Sequence, residues 1–99
     1  MNFDFQNSGE EALLEDIEQS ISHSHQLVVY NDDHNTFDWV IQCFMEILKH
    51  TSQQAEQLSL IIHYNGKAVV KTADYDSLKP KKDALTDRGL SAVIEEYVQ

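Results

Sequence analysis

The sequence predicts an α+β domain: a compact two-layer sandwich in which a three-stranded antiparallel sheet carries helices packed on one face, in the order β-α-α-β-α-β, behind a flexible N-terminal tail. Three observations predict it. Short runs rich in β-branched and aromatic residues at Leu27–Tyr30, Ala68–Val70 and Ser91–Glu95 read as strands. Segments at helical spacing separate them, and strands split by helices of this length bury one sheet face beneath those helices. The chain has 99 residues, enough for one modest core.

Residues 1–25 read as the tail and 26–99 as the core domain. The tail holds Asp4, Glu10, Glu11, Glu15, Asp16 and Glu18, no Lys or Arg, and too few apolar residues to fold alone. Leu13, Leu14, Ile17 and Ile21 fall at helical spacing, so a solvated tail and a short helix formed on a partner both remain open. Leu27-Val28-Val29-Tyr30 is the first strand. Thr36 or Asn35 caps the next helix by accepting backbone N–H groups of its first turn. There Phe37, Val40, Ile41, Phe44, Ile47 and Leu48 share a face that Trp39 and Cys43 widen. An apolar arc this wide predicts a helix covered on most sides. Ser52 caps a second helix over 53–65, and Gly66 ends it as a residue able to take positive φ. A second strand runs over 67–72. Residues 74–89 favour helix weakly, and Pro80 predicts a short or broken one. Gly89 closes it, and the last strand follows.

The formal net charge is -10, with about half the excess in the leading quarter. Nucleic acid and anionic membranes need clustered Lys and Arg, so neither is an expected partner. A cationic ligand or a basic protein surface fits. The single cysteine, Cys43, excludes an internal disulfide and a cysteine-based zinc cage, and suits a buried filler better than a nucleophile. No basic leader or long apolar stretch is present, which points to a cytoplasmic protein.

The polar chemistry concentrates in Asn31-Asp32-Asp33-His34-Asn35, between the first strand and the first helix. His63, on the last turn of the second helix, is the other polar feature, with Ser59 one turn before it and Ile62 beside it. If that helix packs near the strand exit, His63 faces Asn31 and Asp32 across an apolar-floored dent. An amide carbonyl, a carboxylate and a neutral imidazole nitrogen are all acceptors. Converging beside an apolar cavity, they match a primary ammonium on an apolar group, the form of a protein's free N-terminal residue. The plainer reading of Asn31-Asp32-Asp33 is a turn that caps a helix through its own side chains. A hydrolase using His63 and Asp32 lacks a nucleophile and an oxyanion loop. The histidines close no metal-ligand spacing, and the acidic loop lacks the glycine and terminal glutamate of a calcium loop, so no metal or other cofactor is expected.

Val29-Tyr30-Asn31-Asp32-Asp33, the helix after it, and Ile62-His63-Tyr64-Asn65-Gly66-Lys67-Ala68 resemble the ClpS family, adaptors of bacterial Clp proteases. Ala55, Gln57 and Leu58 lie between the two runs as in the family. The resemblance covers residues 27–96 and is strongest over 28–70. It implies a non-enzymatic adaptor that binds proteins with a destabilising N-terminal Leu, Phe, Tyr or Trp. Such proteins are delivered to a hexameric AAA+ unfoldase, ClpA or a relative, for degradation by ClpP. Carried over by position, Asn31, Asp32 and His63 receive the α-amino group, with Asp32 able to act through a water. Asp33 shapes the loop or meets the next peptide unit. Asn35, Phe37, Val40, Ser59, Ile62 and Leu90 line the side-chain pocket. Thr72, Asp74 and Lys79 are the candidates for contact with the unfoldase's N-terminal domain, and a monomer suits one-to-one docking. Phe37 and Ser59 both stand where members usually carry Met, Asn35 stands where Thr is frequent, and Pro80-Lys81-Lys82 departs from the pattern. The Phe37 and Ser59 departures imply a reshaped pocket and leave a second function open, docking on a Clp unfoldase to modulate it without reading N-termini; the Pro80-Lys81-Lys82 departure bears on the unfoldase contact.

Overall fold

The structure, a computed structural model, describes residues 24–96. Its elements are β1 (His25–Tyr30), α1 (Phe37–Ile47), α2 (Ser52–Asn65), β2 (Lys67–Ala73), α3 (Tyr75–Asp87) and β3 (Ser91–Glu96). This is the expected order, in one antiparallel sheet with β1 between β2 and β3. The acidic extension lies outside the described residues except at its end, where His25, assigned to the tail by composition, already pairs with Ala73 and Glu96.

Alternation along the strands sends Leu27, Val29, Ala68, Val70 and Ala92 into one core with Phe44, Leu48, Ala55, Ile62, Leu78, Leu85 and Leu90. The β1–β2 register shifts by one residue between Leu27 and Val28, leaving Val70 as the extra residue of a bulge, still in the core with Ala68. The other sheet face carries Val28, covered where the Tyr30 side chain reaches across it to bond Glu95 at 2.7 Å.

Thr36 is the cap of α1, its hydroxyl accepting the Trp39 N–H at 3.1 Å. The arc of α1 is less covered than its width predicts. Cys43 and Phe44 are buried in it, Trp39, Val40, Ile41 and Ile47 are half-buried, and Phe37 is 39% exposed. The helix rests mainly on α2 and α3 rather than on the sheet, and its spare apolar width walls a cavity instead. The cap of α2 is Thr51, one residue before the expected Ser52. Thr51 and Gln54 exchange side-chain and backbone bonds in a capping box, which a serine at 52 has no partner to build. Gly66 ends α2 at φ +94°.

The segment with Pro80 is one helix, not a short or broken one. Leu78 and Leu85, both fully buried, anchor it on either side of the proline, and Lys79 pairs with Asp83 along its surface. At its end Arg88 pairs with Glu46 and its carbonyl accepts the Trp39 indole N–H at 3.1 Å, fastening α3 to α1.

Candidate functional site

The register of β1 and β2 builds the site. Tyr30 pairs with Lys67, so the residue after the first must meet the residue before the second. Asn31 N–H accordingly donates to the Gly66 carbonyl at 2.8 Å. Gly66, in the left-handed region, turns the chain from α2 into β2 and donates its own N–H to Ile62. His63, one turn before Gly66, is thereby held beside the 31–35 loop.

A cavity of about 300 Å³ opens there, lined by Asn31, Asp32, Asp33, Asn35, Phe37, Val40, Ser59, Ile62 and His63. The sequence-predicted amine acceptors, loop residue and pocket residues therefore share one cavity, with Leu90 set apart. Leu90 is buried and walls a smaller recess of about 30 Å³, which shares Asn31, Asp32, Asn35, Val40 and Ile62 with the cavity. Among the described residues the cavity walls hold two carboxylates and no Lys or Arg, so the potential inside favours a cation.

Asp32 organises the loop. Its Oδ1 accepts the N–H groups of His34 at 2.8 Å and Asn35 at 2.9 Å. The Asn35 side-chain amide donates to both carboxylate oxygens and, at 2.8 Å, to the Gly89 carbonyl. Asn35 thus ties the loop to the α3–β3 turn, where Gly89 sits at φ +92°. Partial burial pushes the Asp32 carboxyl up, but the hydrogen bonds from the His34 N–H and from the Asn35 amide and N–H outweigh it and hold the group below its ordinary range. Asp32 therefore closes a turn through its own side chain, as the plainer reading of the sequence has it, but the cap of the helix is Thr36 and not this run. The turn coexists with the cavity: Oδ1 serves the loop, while among the described residues Oδ2 has only the Asn35 amide and a long 3.5 Å approach from the Ser91 hydroxyl. His63 is exposed, edge-on to Tyr64, and its ring nitrogens make no hydrogen bond among the described residues.

Thr72, Asp74 and Lys79 lie elsewhere. Thr72 pairs with Gln26, at the far end of β1 from Asn31 and roughly 16–17 Å from it along the strand. Asp74 precedes α3 without a side-chain cap bond, and Lys79 is on the outer face of that helix. Sequence reasoning missed the Asn35–Gly89 tie, because nothing local links residues 54 apart. Among the described residues no cluster of three His, Cys, Asp or Glu side chains could hold a metal ion, and no helix is long and apolar enough to cross a membrane.

Comparison with known proteins adds the family. The family model for the ATP-dependent Clp protease adaptor protein ClpS matches residues 21–93. The chain belongs to the ClpS family. ClpS adaptors work with the Clp protease, and the family is one of adaptors rather than enzymes. The ClpS adapter of Campylobacter jejuni is 34% identical over 89 residues, 84% of this chain and 93% of that protein. The ClpS adapter of Neisseria meningitidis is 25% identical over 92 residues, 87% and 89% of the two chains. The solved structure of Agrobacterium tumefaciens ClpS2 bound to L-phenylalaninamide superposes with a TM-score of 0.70 at 18% identity, covering 77% of this chain and 99% of that one, and shares its fold.

Proposed function

We propose that this ClpS-family chain is an adaptor that captures proteins by a destabilising first residue, Leu, Phe, Tyr or Trp, and delivers them to a Clp AAA+ unfoldase, ClpA or a relative, for degradation by its protease. The observation that carries the reading is the convergence, at one cavity free of Lys and Arg, of acceptors on Asn31, Asp32 and His63 with the apolar walls of Phe37, Val40 and Ile62. Only a group that is both cationic and carried on an apolar side chain satisfies both halves. The fold relative that binds L-phenylalaninamide, a free amine beside an aromatic side chain, supports it.

The α-ammonium donates to Asn31 Oδ1, to His63 and to the free side of Asp32, directly or through a water. Two or three such bonds are worth about 1.5–3 kcal/mol each, and a buried Leu or Phe side chain about 1.5–3 kcal/mol more. Fixing the peptide subtracts several kcal/mol, so the upper part of that sum corresponds to affinity near micromolar. Binding of that strength can be undone at hand-over. Asp33 meets the second peptide unit. Thr72, Asp74 and Lys79 form the contact with the unfoldase's N-terminal domain. Their distance from the cavity lets substrate and unfoldase bind a monomer together in the cytoplasm.

One observation favours a second reading, in which the chain docks on the unfoldase and modulates it without reading N-termini: Asp32 Oδ1 is already committed to its own loop. Reconstituted degradation of a Phe-starting reporter separates the two. Under the first reading an excess of a Phe-starting dipeptide suppresses delivery and its N-acetylated form does not. Equal suppression by both, or by neither, leaves the modulator.

A further inference from the structure

Among the described residues two buried side-chain polar atoms have no hydrogen-bond partner, His50 Nδ1 and Ser59 Oγ. Of the two residues, Ser59 lines the candidate cavity. It is 3% exposed, and its hydroxyl is closed to solvent in the rotamer seen. A buried hydroxyl without a partner is unfavourable, and a helical serine ordinarily avoids this by bonding a carbonyl one turn back. Ser59 makes no such bond.

The surroundings define what can partner it. Phe37, Val40 and Ile62 are the apolar residues of the cavity. The amine acceptors lie on the 31–35 loop and on His63. Ser59 and His63 share one face of α2, four residues or about 6 Å apart. That span is comparable with a tyrosine side chain from its Cα to its phenol oxygen. A first residue whose amine meets His63 and Asn31, and whose ring lies along Phe37, Val40 and Ile62, brings a para hydroxyl to Ser59. The phenol can donate to or accept from Oγ, and one side-chain torsion of Ser59 aims it without moving the helix. Phenylalanine offers the same ring and no partner.

We infer that Ser59 is a specificity-determining residue that makes tyrosine preferred to phenylalanine as the bound first residue; this rests on the N-terminal-residue reading above. The test is calorimetric titration of the wild-type chain and Ser59→Ala with two peptides identical beyond residue one, starting with Tyr or Phe. Ser59→Ala removes an unpartnered hydroxyl, so its melting temperature should not fall. The wild type should favour the Tyr peptide by roughly fivefold, the worth of one neutral hydrogen bond. The variant should bring the ratio to about one, through weaker binding of the Tyr peptide. Binding of both peptides by the wild type with a ratio near or below one, or an unchanged ratio in the variant, overturns the inference alone. Binding of neither overturns it together with the reading it rests on.

Discussion

Asp32→Ala should cost stability as well as binding. The carboxylate accepts His34 N–H, Asn35 N–H and the Asn35 amide at 2.8 to 3.1 Å. The loop is half-exposed and the freed N–H groups reach water, so each bond is worth the lower part of the usual range, about 0.5–1 kcal/mol. Three of them give about 2 kcal/mol. In a domain of this size 1 kcal/mol moves the melting temperature by about 4–8 °C, so the variant should melt about 8–16 °C below the wild type at pH 7 by circular dichroism. The pH dependence follows from the depressed carboxyl. A group with a lowered folded-state pKa contributes fully above its unfolded value and loses that contribution as pH falls through the folded one. The gap between wild type and variant should therefore hold from pH 7 to about 5 and close below about 4. A variant melting within about 2 °C of the wild type at pH 7, or a gap undiminished at pH 2.5, would refute the claim that Asp32 supports the loop.

Other outcomes follow from the same geometry. His63→Ala should weaken peptide binding by roughly tenfold or more, the loss of one hydrogen bond to a charged group, without lowering the melting temperature, because the side chain is exposed; unchanged affinity would remove His63 from the amine site. Pro80→Ala restores an N–H inside α3 opposite the Asp76 carbonyl and should stabilise the domain by about 1–3 kcal/mol, read by urea denaturation. An unchanged midpoint would mean that the helix already absorbs the proline without cost. Gly66→Ala has room for its methyl but must hold φ +94°, and should cost about 1–2 kcal/mol while weakening peptide binding through the Asn31–Gly66 bond. Binding unaffected by a clear loss of stability would uncouple that turn from the cavity.

Much of this was legible because it is local. Gly66 and Gly89 mark left-handed helix ends, Thr36 begins a helix where its side chain can accept the first N–H groups, and β-branched runs make the strands. Spacing made Ser59, Ile62 and His63 legible as one helical face, while Asn35, Phe37 and Val40 came to the cavity only through the family resemblance. What failed depended on tertiary contacts or on pairs of residues. Pro80 stays inside a helix because Leu78 and Leu85 bury on either side of it. Thr51 outcompetes Ser52 as a cap because Gln54 completes the box. The width of the α1 face signals cover on most sides, yet Phe37 is 39% exposed because the helix rests on α2 and α3 and leaves that end beside the cavity. The sequence leaves Asp32 as either a turn former or an acceptor; Oδ1 closes the turn, and Oδ2 has fewer partners among the described residues.

The central claim is that the Asn31-Asp32-Asp33 junction and His63 hold an ammonium. Calorimetric titration at pH 7 with a Phe-starting peptide and with its N-acetylated twin tests it most directly. Acetylation removes the charge and leaves desolvated acceptors facing a neutral amide, a cost of several kcal/mol. The account predicts binding near micromolar for the free amine and none measurable for the acetylated peptide; equal binding of the two, or binding of neither, would contradict it.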